Sequence, residues 1–184
     1  MVETTGPRPR PCTVADLVEM PADGRRYELL DGMLLASPPP GFRHQKVVLR
    51  LGALLDAACP DEFEVVPAPF AVRPSVTEEL QPDLLVARRA DLAEQHLPVA
   101  PVLVVEVLSP GSRHYDLGPK KAAYQRIGVT HYWVVDPLVP GLVVHEPGDG
   151  GEFRVTAAAR GAEVFEARRP FPVRVVPAEL PPRP

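Results

Sequence analysis

The residue that asks for an explanation is Glu106. It stands in Val102–Leu108, VLVVEVL, a run otherwise made of apolar and largely β-branched side chains. A carboxylate carried into such a strand must be neutralised, paired or bound to a cation, because leaving it buried and bare is costly. Either the strand is an edge strand with Glu106 in water or in an ion pair with an arginine, or the acid does chemistry. A second acid, Asp83, opens another apolar run, DLLVA, directly after Gln81-Pro82. Two neighbouring strands that each present a carboxylate at one end of a sheet could hold a hard divalent cation, Mg²⁺ or Mn²⁺, through oxygen.

The segment after Glu106 adds a cation. SPGSRHYDLGPKKAAYQ turns from the strand through a polar loop into a helix whose first turns hold Lys120 and Lys121. If that helix packs back over the sheet, one ammonium reaches a phosphate at the acids and stabilises the charge that develops there. Alternatively the two lysines lie on a solvated face. No G-x-S-x-G elbow surrounds Ser109 or Ser112, and the five His and two Cys show no zinc spacing.

These side chains need elements to hold them. Thr13 can cap a short helix that Pro21 ends, with Asp16 three residues on. YELLDGMLLAS, Tyr27 to Ser37, centres on Asp31-Gly32 and predicts a β-hairpin. Val47, Val48, Leu51, Leu54 and Leu55 follow helical spacing and predict a helix over 42–58. Strands are expected at 63–66, 70–73, 83–87, 102–108 and 132–135, the apolar ones buried on both faces. A helix over 118–127 starts with Pro119 and ends at Gly128. Short antiparallel strands follow at 142–145, 152–155, 163–166 and 173–176. This order predicts a mixed α/β (α+β) domain, one sheet flanked by helices, over residues 13–180. Residues 1–12, alternating Pro and Arg, are expected to be a disordered leader.

Composition sets limits. The chain has 184 residues with 25 Pro and 13 Gly, but 45% of it is hydrophobic and its net charge is only −4, which argues against overall disorder. Two cysteines suggest a reducing compartment, and no apolar segment opens the chain, so a cytoplasmic location is expected. The overall acidity gives no pull toward nucleic acid, yet charge is uneven. Residues 41–50 hold Arg43, Lys46 and Arg50 and no acid; residues 110–131 hold Arg113, Lys120, Lys121 and Arg126 against Asp116. Each stretch nets +3 and permits a phosphate-facing side, with Arg113 and Lys121 as candidate substrate contacts.

QPDLLVARR, VLVVEVLSPGSR, DLGPKKAAYQRIGVTHYWVVDP and RRYELLDGMLLASPPPGFRHQ together resemble the Uma-type "putative restriction endonuclease" family, a branch of the PD-(D/E)XK nuclease superfamily. The resemblance runs in order over roughly residues 13–147. It implies a restriction-endonuclease-like fold and a Mg²⁺- or Mn²⁺-dependent endonuclease acting on DNA. Asp83 matches the motif's Asp and Glu106 its acid, both as metal ligands. The standard pattern places Lys two residues after the acid, where this chain has Leu108; in this family the Lys comes from the following helix, and Lys120 matches it. Glu28 matches an acid of the first strand that completes the metal site. His44 and Gln45 match a His-Gln pair at the head of the second helix, in substrate contact. A homodimer would let such an enzyme cut two strands. The competing reading is a catalytically silent nuclease fold that binds nucleic acid or a protein.

Overall fold

The computed structural model describes residues 3–4 and 10–182. Among the described residues, strands and α-helices follow in chain order: β1 (Glu3–Thr4), α1 (Val14–Leu17), β2 (Arg26–Leu30), β3 (Met33–Ser37), α2 (Phe42–Ala58), β4 (Phe63–Pro67), β5 (Ala71–Ser75), β6 (Glu78–Leu80), β7 (Leu84–Arg88), β8 (His96–Leu97), β9 (Leu103–Val107), α3 (Arg113–Leu117), α4 (Pro119–Ile127), β10 (His131–Asp136), β11 (Gly141–Pro147), β12 (Phe153–Arg160), β13 (Phe165–Ala167) and β14 (Val173–Val175). Among the described residues no helix is long and apolar enough to cross a membrane.

The central sheet has the order β12-β11-β10-β9-β7-β4, with β9 and β10 parallel and the other pairs antiparallel. All five residues of β9 are buried, as a run apolar on both faces requires. Side-chain alternation divides the core. Leu84, Val86, Val105, Val107 and Trp133 pack with Val47, Val48, Leu51 and Leu55 of α2. Val104, Tyr132 and Val134 pack on the other face with Ala123 and Tyr124 of α4 and with Leu30 and Leu35 of the hairpin. The mixed, helix-flanked architecture is the one expected, but among the described residues the strands form three sheets rather than one.

The β2–β3 hairpin belongs to a second sheet, β1-β3-β2-β6-β5-β8. Asp31 and Gly32 have φ of 51° and 75°, the left-handed pair that a tight two-residue turn demands. A Cβ on Gly32 would lie 2.6 Å from Pro11 Cβ. Gly32→Ala is therefore expected to cost about 1–3 kcal/mol by thermal or denaturant unfolding; a change within error would show that the turn relaxes freely.

Three local expectations change. Most of the expected leader, residues 1–2 and 5–9, lies outside the described residues. The rest is structured: Glu3–Thr4 pairs with β3, and Cys12 is buried with its N–H bonded to Gly32 O at 2.8 Å. The loop after Glu106 contains α3, whose sequence RHYDL has no apolar periodicity to announce it. The short strands β6 and β8 were not anticipated, because three and two residues are too few for a period-2 signal.

Candidate active site

Sheet register brings the two acids together. β7 and β9 run antiparallel with Leu84 opposite Val105, so one step further along sets Asp83 opposite Glu106. Pro82 keeps the residue before it extended, which delivers Asp83 to the start of β7. The Asp83 carboxylate is 3% exposed and well supplied with donors. His44 Nε2 of α2 lies 3.0 Å from its Oδ2, the Val107 N–H donates to the same oxygen at 2.9 Å, and Arg26 Nη1 stands 3.3 Å from Oδ1. Burial alone would raise its pKa. The His44 contact, the Arg26 charge and the Val107 N–H outweigh burial and hold it below the usual carboxylate value.

Glu106 is 1% exposed and faces the α4 side of the sheet, where Lys120 and Tyr124 meet it. Lys120 Nζ lies 2.8 Å from Glu106 Oε1 and 3.1 Å from Glu28 Oε1, and the Tyr124 hydroxyl donates to Glu106 Oε1 at 3.1 Å. Glu28 also accepts the Gln81 N–H at 2.8 Å. A further acid, Asp116 of α3, is 1% exposed and places Oδ1 3.8 Å from Lys120 Nζ, too far for a hydrogen bond; among the described residues that oxygen has no hydrogen-bond partner. Glu28, Asp83, Glu106 and Asp116 thus share two cations, Arg26 and Lys120, and the group carries two negative charges in excess when all four acids are ionised.

The excess shows in the titration behaviour. Burial, then the nearby Asp116, Asp83 and Glu28 charges, push Glu106 up to about 8 despite Lys120. Burial raises Asp116 to about 6 in the same way. Lys120 moves up as well, because the Glu106, Glu28 and Asp116 charges outweigh its burial. An acid whose folded pKa is raised retains a proton that the unfolded chain has released, so its contribution to stability falls as pH rises. The window runs from 3.8 to about 6 for Asp116 and from 4.5 to about 8 for Glu106. Melting temperatures in a chelator are expected to drop across this range, and Glu106→Gln to flatten the upper part. An unchanged profile in that variant would place the titrating group elsewhere.

Two clefts border this cluster, meeting it at Arg26 and His44 and, in the larger one, at Asp83. One, of about 480 Å³, is lined by Arg25, Arg26, Tyr27, Gln45, Gln81 and Asp83 among others. The other, of about 210 Å³, runs between the Ser37–Gly41 and Ser109–Ser112 loops. Arg26, His44, Pro39 and Pro40 line both. The structure therefore brings together Asp83, Glu106, Lys120, Glu28 and His44, and puts the exposed Gln45 on the rim of the larger cleft. It does not bring Lys121 or Arg113 into either. Lys121 bears on His145 instead, whose pKa is lowered first by burial and further by the Lys121 charge. Arg113 pairs with Asp136 at 2.8 Å on the surface.

Arg26, Asp116 and Tyr124 escaped the sequence reading as site residues. Signals existed for them: Arg26 is two residues from Glu28 in one strand and so shares its face, while Asp116 and Tyr124 are each four residues from Lys120.

Among the described residues no three of His, Cys, Asp and Glu form a group arranged to hold a metal ion. The donor set nonetheless suits a hard divalent cation. The acids are oxygen donors, their excess charge equals that of one such ion, and Mg²⁺ commonly takes only one or two carboxylates and completes its shell with water and phosphate.

Comparison with solved structures agrees with this architecture. Five solved chains match. One is described as "a putative nuclease belonging to DUF820" from Anabaena variabilis; it superposes with a TM-score of 0.67 at 16% identity, over 85% of this chain and 89% of that one. At that identity the likeness speaks for the fold. No curated protein matches. The family model of Uma2, described as "Putative restriction endonuclease", matches residues 14–179, which include every residue of the acid cluster, and on that match the chain belongs to the Uma2 family.

Proposed function

We propose that this protein is a Mg²⁺- or Mn²⁺-dependent endonuclease that hydrolyses phosphodiester bonds in DNA. The observation that carries the reading is the buried pairing of acids on adjacent strands, Asp83 and Glu106, with Lys120 Nζ 2.8 Å from Glu106. Asp83 and Glu106, with Glu28, would hold the ion, which supplies Lewis-acid polarisation of the phosphate and makes water a stronger acid. His44 and the Val107 N–H fix the Asp83 carboxylate in one orientation, so no rearrangement of that group is needed during reaction. Tyr124 does the same for Glu106. Lys120 supplies a fixed positive charge behind the acids that favours added negative charge on phosphorus. Cutting both strands of a duplex would call for two such sites, hence a homodimer, and a nuclease of this kind would work in the cytoplasm.

The test uses purified protein with supercoiled plasmid, linear duplex and RNA, each with Mg²⁺, Mn²⁺ or EDTA. Internal cuts in circular DNA with either metal, and none in EDTA, are expected. Intact substrates throughout, together with no metal binding by calorimetry, would sink the proposal.

One observation favours the competing reading of a silent binding module. Glu106 and Glu28 already share the Lys120 ammonium, itself 3% exposed. Under that reading wild type and Asp83→Ala bind DNA equally and neither cuts it.

A further inference from the structure

One bound ion would only offset the excess charge of the four buried acids, so a polynucleotide still needs a cation at the surface where it arrives. Lys120 cannot be that cation in this arrangement. It is 3% exposed, engaged by Glu106 and Glu28, and lines neither cleft. Among the described residues, Arg26 is the only Arg or Lys that lines both clefts. It stands where they meet, beside Asp83.

The guanidinium is held there from below. Nη1 donates to Gln81 O at 2.9 Å and to Asp83 Oδ1 at 3.3 Å, and Nε lies 4.0 Å from Glu28 Oε2. Among the described residues no hydrogen bond involves Nη2. A planar fork with one nitrogen anchored and the other available is suited to a phosphate oxygen, and its side chain, 19% exposed, retains access to the clefts. The surrounding walls carry further donors that suit a flanking phosphate: the Ser109 and Ser112 hydroxyls of the smaller cleft are 2.9 Å apart, and Gln45 lines the larger one.

We infer that Arg26 is the phosphate-binding cation of this site. It receives the scissile phosphate at the junction of the two clefts, and the polynucleotide strand passes from one cleft into the other on either side of it. The inference rests on the nuclease reading and names the contact by which substrate is taken up. It also separates the roles of the two buried cations: Arg26 meets substrate, while Lys120 neutralises the acids behind.

Duplex binding is to be measured by fluorescence anisotropy over a series of salt concentrations, with Ca²⁺ in place of Mg²⁺, for wild type, Arg26→Gln and Arg26→Lys. Loss of a hydrogen bond to a charged phosphate should weaken Arg26→Gln by about 10- to 100-fold. The slope of log Kd against log salt should fall in magnitude by about 0.9, one phosphate contact on duplex DNA. A merely structural role for Arg26 would not move that slope. Arg26→Lys should keep the slope and lose affinity several-fold, because the point charge remains and the fork does not. If Arg26→Gln fails to fold, Arg26→Lys decides, and wild-type affinity in it overturns the assignment. An unchanged slope in folded Arg26→Gln also overturns it while leaving the nuclease reading intact. A wild type that neither binds nor cuts any DNA or RNA overturns both.

Discussion

Lys120→Met is expected to destabilise the protein by about 3–5 kcal/mol, the usual consequence of removing one partner from a buried ion pair. Here the loss is severe because Lys120 faces three acids. Glu28, Glu106 and Asp116 are each 1–2% exposed, and among the described residues none of them has another lysine or arginine in direct contact once the ammonium is gone, except Glu28, whose Arg26 contact is 4.0 Å. For a domain of this length the change corresponds to a drop in melting temperature of roughly 6–20 °C. The cost should be larger at pH 9 than at pH 6, since Glu106, already raised to about 8 in the intact site, can escape by protonation at the lower value. Adding Glu106→Gln to Lys120→Met should recover much of the loss by removing the strandward charge. Millimolar Mg²⁺ should recover part of it in the single variant, because a ligand that binds only the folded state stabilises it by mass action. A melting temperature within a degree or two of wild type would mean that the acids are neutralised by protons rather than by Lys120.

Asp83→Asn carries the largest expected effect on activity. Asparagine has almost the same shape, so its carbonyl can still accept the Val107 N–H, and Arg26 keeps its bond to Gln81 O. What disappears is the negative charge opposite Glu106 and with it one of the metal ligands proposed above. Single-turnover cleavage should fall by at least about 10²–10³-fold, the scale for removing one preorganised charge-stabilising group. Duplex binding should stay level or tighten, because the cleft loses a charge that repels phosphate. The pairing of lost cleavage with retained binding separates a catalytic role from a collapse of the site. Cleavage within tenfold of wild type would remove Asp83 from the machinery.

Much of this site can be read along the chain. VLVVEVL and DLLVA declare strands buried on both faces, because apolar β-branched runs have no better place, and a carboxylate inside such a run is conspicuous for that reason. The helix over 42–58 and the turn at Asp31-Gly32 follow from helical spacing and from left-handed turn chemistry, both of them local properties. Arg26 was harder to see. On sequence it is one of 17 arginines beside an apparent hairpin, and only its two-residue spacing from Glu28 sets it apart from Arg25. Asp116 hides in RHYDL, a segment polar enough to pass for loop, whose helix is five residues long. The basic stretches misled in detail: Lys121 and Arg113 share a segment with Lys120, yet one bears on His145 and the other pairs with Asp136.

The sequence alone therefore determined most of the elements, the family resemblance and the identity of the two strand acids. Those rest on burial and backbone preference, which neighbouring residues settle among themselves. The structure decided how the charges are shared. Arg26 reaches Asp83 across 57 positions of chain and Lys120 reaches Glu28 across 92, distances that only the sheet order and the α4 packing close. An ion pair needs contact within a few ångströms, and no local preference specifies which of several lysines and arginines will supply it. For that reason Glu106 could be recognised as a misfit from its own heptapeptide and Lys120 picked out by the family resemblance, while the ion pair between them and the arginine that stands over Asp83 emerged only in the folded molecule.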